Sequence, residues 1–407
     1  MTVAIERRRP SALADRRRAA LQRADRRRKG GSRFRSRFQE RVSRDPKPIG
    51  LYVIGGVTAV LVMFGLVMVL SSSSIVSFHR GRSPWYQFMR QVGYAALGAV
   101  AMFVAYRFRL TIVNRLGRLF LVLGAIFMFS PFLPGIGDTV NGARAWVSFG
   151  SWSLQPAEFV KLMLIVWGAD FLTRREDELG TLRRGVWPYL AFTGTAAGVA
   201  ALQSDIGTCV VIGTIGVTMV LLAGAPFRPV FGVATIAGLL GFLFVRSDPN
   251  KMARLSAFLD IYGTREDDGY QVYQALISLS NGGLTGTGIG AGTGKWGYVP
   301  LAHSDFIFAI VAEEMGLLGV LGLLTLFGFL IYFAFQVALS CAHRFGFLLA
   351  AGIGCWFTVQ TFINIGGVVG ILPVTGLTLP FISSGGSSLI ASMTAAGLLM
   401  NVARQPR

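Results

Sequence analysis

Ten apolar runs divide the chain, at roughly 51–70, 86–106, 118–133, 157–172, 186–202, 206–222, 228–245, 306–336, 345–369 and 388–402. Most approach the ~20 residues a helix needs to cross a hydrocarbon core. The runs are continuous rather than alternating, so they predict helices and not barrel strands. The expected fold is an all-α polytopic membrane protein with about ten transmembrane helices spread over residues 51–403.

Polar positions between the runs set the topology. Arg107, Arg109, Arg115 and Arg118 cluster after the second run, and Arg174, Arg175, Arg183 and Arg184 after the fourth. His343 and Arg344 precede the ninth run; Arg404 and Arg407 follow the tenth. Basic loops stay in the cytoplasm, which predicts both termini inside, residues 404–407 included. One stretch departs from the rule: HRGR at 79–82 falls outside. Residues 246–305, about sixty in number, then form a large extracytoplasmic loop between helices 7 and 8. It is too rich in aromatic and apolar residues for a floppy linker, and long ordered loops are usually functional. Residues 370–387, GILPVTGLTLPFISSGGS, mix Pro and Gly with apolar residues and read as re-entrant or membrane-lying.

Composition agrees: 53% of residues are hydrophobic and 14% charged, against roughly 25% charged in soluble domains. The net charge of +19 is concentrated in residues 1–50, where 17 Lys and Arg face five Asp and Glu. That segment reads as a disordered cytoplasmic tail touching anionic headgroups. A protein partner or a nucleic acid would be drawn by the same charge, which carries no specificity; the reading adopted is a membrane contact and no nucleic acid. Cys209, Cys341 and Cys355 lie in or beside apolar runs and form no CxxC pair, so they predict small buried side chains and neither a disulfide framework nor a zinc site. TGTGIGAGTGK at 285–295 is not a phosphate loop, because Ile289 stands where the pattern has Gly and Trp296 where it has Ser or Thr.

Three polar clusters interrupt the apolar pattern. In ALQSDIGT, Ser204 or Asp205 suits the N-cap of the next helix. In NGARAWVSFGSWSLQPAEFVK, Gln155 and Pro156 open a helix, and Glu158 and Lys161 share one face three residues apart. They either satisfy each other or join Arg144 in holding an anionic headgroup, a task suited to Arg. In PLAHSDFIFAIVAEEMG, Ser304 or Asp305 suits an N-cap, yet His303 beside them and ionisable residues within the membrane point to function. On a continuous helix Glu313 sits about 12 Å deeper than Asp305 and about 80° round, whereas Glu314 sits about 180° round; only Glu313 is expected to face the same cavity.

GARAW, LQPAEFVK, QSDIGT, GYQVYQALISLSNGGLTGTGIG, HSDFIFAIVAEEMG and NIGGVVGILPVTGLTLPFISSGGSS together resemble the SEDS family of shape, elongation, division and sporulation proteins, over most of residues 50–403. Departures from the family pattern are Ala157 for Ser, Ser204 for Pro, Ser304 for Thr and Leu301 for Glu. The last removes a second acid beside Asp305. The resemblance implies an integral-membrane glycosyltransferase that polymerises lipid II into peptidoglycan at the outer face of the bacterial cytoplasmic membrane. GTGKWGYVP and GLTLPFISSGGSS look closer to the division branch, at the septum, than to the elongation branch.

The resemblance also implies Asp305 as the catalytic general base of an inverting glycosyltransferase. It implies substrate-binding roles for Arg144, Glu158, Lys161 and Asp205, to which Gln155, His303, Ser304 and Glu313 are added from their places in the same clusters. Arg144 and Lys161 would meet the charge of the leaving diphosphate, with no protein metal site, no certain cofactor, and a place for a divalent cation, Mg2+ or Mn2+. The implied partner is a class B penicillin-binding protein, an FtsI-like one-span transpeptidase, among other divisome proteins. Two other classes stay open: a lipid II flippase, which should also carry polar residues at mid-membrane and on the inner side, and a scaffold that only positions the transpeptidase.

Overall fold

A computed structural model describes residues 49–405 apart from 141, 151 and 182–184. The expected tail therefore falls outside the described residues up to residue 48, as do Arg183, Arg184 and Arg407. In chain order the helices are α1 Ile49–His79, α2 Tyr86–Arg107, α3 Leu110–Arg115, α4 Gly117–Phe129, α5 Pro156–Arg174, α6 Trp187–Leu202, α7 Ile206–Leu222, α8 Phe227–Arg246, α9 Pro249–Leu259, α10 Tyr270–Gly282, α11 Ile307–Ser340, α12 Arg344–Val368 and α13 Gly386–Arg404. Each of the ten apolar runs is a helix. Six of them, α1, α2, α8, α11, α12 and α13, are long and apolar enough to cross a membrane by themselves. The 19 residues of α5 rise about 28 Å, close to the thickness of a hydrocarbon core.

α12 and α13 are enclosed by the other helices, whereas α8 is open along nearly all its length. With little hydrophobic drive between helices in lipid, close approach relies on small residues. Gly397 of α13 shows this against α2: a Cβ there would lie 2.3 Å from the Met102 carbonyl oxygen.

One element that no apolar run predicted is a three-stranded antiparallel sheet: β1 Gly137–Val140, β2 Ala143–Phe149 and β3 Trp152–Leu154. Its register pairs Asp138 with Trp146 and Ser148 with Ser153. Along β2, Ala145 and Val147 are buried while Arg144 is exposed, the two-residue period of a half-buried strand. The Asn-Gly pair at 141–142 is the sequence signal for such a hairpin.

The stretch 246–305 is built from α9, α10 and a series of turns. Residues 370–385 hold no helix, yet Leu377, Leu379, Phe381 and Ile382 are buried. A Cβ on Gly65, midway along α1, would strike Phe381 O at 2.5 Å. This segment thus dips between the helices to the middle of α1, in keeping with its re-entrant reading.

α11 is not continuous. Gly316 has φ 64° and ψ −166°, outside helical space, a conformation essentially reserved for glycine. The freed carbonyls of Glu313 and Glu314 accept from Thr287 N at 2.9 Å and Gly288 N at 3.0 Å. The glycine-rich segment after α10 therefore completes the broken helix, which explains how irregular backbone is tolerated at this depth.

Candidate active site

The end of the bundle where α1 finishes and α5, α7, α11 and α13 begin gathers most of the polar residues. Its centre is the turn His303-Ser304-Asp305, whose three carbonyls are all held. His303 O accepts from Ser384 N at 2.9 Å, Ser304 O from Ser383 Oγ at 2.7 Å, and Asp305 O from Asn364 Nδ2 at 2.9 Å. Asn364 also donates to Leu377 O at 2.7 Å. One α12 side chain thus joins the turn to the re-entrant segment. The helix N-cap is Phe306, with no side-chain capping bond, so the expected capping role of Ser304 or Asp305 is not realised. The carboxylate is spent on no helix terminus, and a Cβ on Gly376 would lie 3.6 Å from its Oδ2.

Burial pushes the Asp305 carboxyl up to about 7; the neighbouring Ser304 hydroxyl pulls it down, the charge of Asp205 adds to the rise, and Arg254 on α9 opposes it. Burial is the leading cause because it penalises the charged form. Asp205 itself is pushed up by burial against the hydrogen bonds from Thr208. It is the N-cap of α7, accepting from Thr208 N at 3.0 Å through Oδ1. Its Oδ2 accepts from Gln155 Nε2 at 2.9 Å, and Gln155 N donates to Ser387 Oγ at 2.8 Å. Capping and site geometry are therefore met by one side chain.

Beneath this layer, Lys161 Nζ lies 2.6 Å from Glu158 Oε1 and 2.7 Å from Gln360 Oε1, and 5.1 Å from the Trp356 ring centroid. Lys161 has no exposed surface. Gln360 passes the contact on, donating to Thr378 O at 2.9 Å. Thr378 Oγ1 donates to Ser388 Oγ at 2.9 Å. The expected i, i+3 pair is present, and the Lys161 ammonium is surrounded by protein groups. The second oxygen of Glu158 is buried without a hydrogen-bond partner, a costly state for a carboxylate.

Two expected residues sit elsewhere. Arg144 stands beside the cluster through its backbone, with N donating to Gln203 O at 3.0 Å, but its guanidinium turns to Pro131 O at 3.1 Å and Phe132 O at 3.4 Å. Glu313 accepts from Thr293 N and Thr293 Oγ1, both at 2.8 Å, and from Gly294 N at 3.0 Å. It clasps the glycine-rich loop. Glu314 pairs with Lys295 at 2.8 Å and accepts from Ser71 of α1 at 2.7 Å. The helical-wheel expectation for Glu313 assumed one continuous helix leading in from Asp305. The loop folds back onto both glutamates and claims them.

Among the described residues no three His, Cys, Asp or Glu side chains converge as metal ligands would. Cys209, Cys341 and Cys355 form no disulfide with one another.

The chain matches the FTSW_RODA_SPOVE family model, described as cell cycle protein, over residues 52–407. It belongs to this family. Among its FtsW/RodA/SpoVE relatives is a protein of Thioalkalivibrio sulfidiphilus named "probable peptidoglycan glycosyltransferase FtsW", 38% identical, with 85% of this chain and 87% of the relative covered. A protein of the same name in Mycobacterium tuberculosis is 36% identical, covering 92% of this chain and 71% of the relative. Stage V sporulation protein E of Bacillus subtilis is 35% identical over 86% and 96% of the two chains. Solved structures agree. A chain from a peptidoglycan synthase complex that coordinates polymerization and crosslinking superposes with TM-score 0.71 at 28% identity, covering 87% of this chain and 97% of that one. The rod shape determining protein RodA of Thermus thermophilus gives TM-score 0.62 at 27% identity over 86% and 95%.

Within this FtsW/RodA/SpoVE chain, sequence reasoning passed over Gln360 and Asn364. The signal was present: Trp356, Gln360 and Asn364 recur every four residues, one polar face on an otherwise apolar helix. Arg254 and Lys295 were also missed, being ordinary basic residues in a long loop until the fold brings them in.

Proposed function

We propose that this protein is a peptidoglycan glycosyltransferase of the FtsW type, which polymerises lipid II into glycan strands. The observation that carries the reading is Asp305: a carboxyl raised to about 7 on a turn whose three carbonyls are held by fixed donors. A base poised near the working pH and held by its surroundings is what proton abstraction from a sugar hydroxyl requires. The acceptor hydroxyl gives its proton to the Asp305 carboxylate. Its oxygen bonds the anomeric carbon from the face opposite the diphosphate, and the carbon–oxygen bond to the diphosphate breaks with the electron pair leaving on the diphosphate. Inversion follows from that single displacement.

Asp205 and Gln155 shape the wall beside the base. Lys161, paired with Glu158 at 2.6 Å and bonded to Gln360, braces that wall from beneath. A divalent cation, Mg2+ or Mn2+, would take most of its ligands from the substrate diphosphate, as Mg2+ commonly does. The residues of 246–305 would cover the sugars.

The similarity to a chain of a polymerizing and crosslinking synthase supports a transpeptidase partner, a class B penicillin-binding protein. The protein is a multi-pass membrane protein, and the division-type relatives support a place in the bacterial cytoplasmic membrane at the septum, with both termini inside. Purified protein with its transpeptidase, supplied with lipid II in liposomes, is expected to yield glycan strands. Transfer of lipid II between leaflets with no strand formed would replace this reading with a flippase. Depletion in the host is expected to give filaments; rounded cells would move it to the elongation branch.

A further inference from the structure

The polymerase reading needs cations beside Asp305, and the structure withdraws the two first in line. Lys161 is wholly enclosed, and Arg144 is bonded to carbonyls of residues 131 and 132. A different pair stands open. A cleft at the same end of the bundle is lined by Ser73, Ser77, Arg80, Arg82, Tyr86 and His303, with Val76 and Gln87 completing it. His303 is two residues from Asp305 on the same turn. Its Nδ1 is buried and has no hydrogen-bond partner, which is costly unless something else fills the place.

Arg80 and Arg82 are exposed, and among the described residues neither forms an ion pair. The Arg82 guanidinium stacks 4.6 Å from the Tyr86 ring centroid, which fixes its plane while leaving its N–H fork open. Arg80 is close enough to His303 that its charge, after burial, helps hold the imidazole below its usual pKa. These are also the two arginines of HRGR, the one basic stretch that breaks the positive-inside pattern. A ligand at this end of the bundle gives them a reason to be there.

We propose that the Arg80–Arg82–His303 cleft holds the leaving diphosphate of the lipid-linked donor. The assignment rests on the glycosyltransferase reading. The carbon attacked by the hydroxyl that Asp305 deprotonates bears that diphosphate, so the two must lie within a sugar's width of each other. When the carbon–oxygen bond breaks, the electron pair goes to the diphosphate. Arg80 and Arg82 meet the added charge with paired N–H groups, and His303 Nδ1 in its N–H tautomer supplies a third donor.

The test uses the full chain in nanodiscs, with undecaprenyl diphosphate as the binding probe and lipid II polymerisation as the second readout. The variants are Arg80→Ala/Arg82→Ala, Arg80→Lys/Arg82→Lys and Asp305→Asn. The alanine pair is expected to weaken probe binding by about tenfold or more and to slow polymerisation by roughly 10²-fold, with an unchanged melting temperature. The lysine pair should recover part of both, and Asp305→Asn should bind the probe as wild type does. Inorganic pyrophosphate should compete with the probe. Equal probe binding by wild type and the alanine pair would overturn the assignment. So would displacement of the probe by an equal concentration of phosphatidylglycerol, which would make the cleft a general headgroup contact. Probe binding that depends on the arginines in a protein unable to polymerise lipid II would leave the cleft standing and contradict the glycosyltransferase reading alone.

Discussion

Asn364 donates through Nδ2 to the carbonyl oxygen of Asp305 at 2.9 Å, from a helix 59 residues further along the chain. The contact positions the His303–Asp305 turn without touching the carboxylate. Asn364→Leu removes two donated bonds and leaves the Asp305 and Leu377 carbonyls buried without partners. It is expected to slow polymerisation by about 10²-fold through misplacement of the base. The KM for lipid II should change far less. Steady-state kinetics of the folded variant check the split; a change confined to KM would place Asn364 in substrate binding.

Lys161 and Glu158 form a buried pair at 2.6 Å. Lys161→Met leaves the Glu158 charge enclosed and unpaired, which is expected to cost about 3–5 kcal/mol of stability. The double change Glu158→Gln/Lys161→Met should recover much of that, because no charge is then stranded. Thermal melts in detergent read both. A single variant as stable as wild type would contradict the enclosure of Lys161.

Gly316 breaks α11 at a φ of 64°, and a Cβ there would lie 2.3 Å from Gly286 N. Gly316→Ala must open the contact between the broken helix and the glycine-rich loop. It is expected to destabilise the protein by about 3 kcal/mol or more and to speed amide exchange over 284–294. Unchanged exchange would mean that the loop is held without the break.

Asp305 carries a carboxyl raised to about 7, and only its ionised form accepts a proton. Polymerisation is therefore expected to rise with pH and reach half its plateau near 7, with the acidic side lost first. The sign for stability is opposite. An unfolded Asp ionises near 4, so between about 4 and 7 the folded chain retains a proton that the unfolded one has released. This residue's contribution to stability falls as pH rises through that window. A pH–rate profile flat from 5 to 8 would contradict the role of Asp305 as base.

The helical pattern was legible because a bilayer leaves few choices: ten apolar runs gave ten helices. The Glu158–Lys161 pair and the Asp205 cap were legible too, since each depends on residues within four positions. The sheet at 137–154 was passed over, because strands this short make no apolar run and the Asn-Gly pair is their one local signal. The destination of Glu313 was not legible. Its partners, Thr293 and Gly294, come from a loop about twenty residues back along the chain, and a helical wheel counted from Asp305 contains no loop. Arg80 and Arg82 looked like an exception to a charge rule until His303 appeared in the same cleft.

The most direct measurement is glycan strand synthesis from lipid II by the purified protein with its transpeptidase, comparing wild type with Asp305→Asn at matched folding. The amide keeps the shape and cannot take the proton. Loss of synthesis by roughly 10²- to 10⁴-fold with lipid II binding retained is the expected result. Strand synthesis at the wild-type rate by Asp305→Asn would contradict the account at its centre.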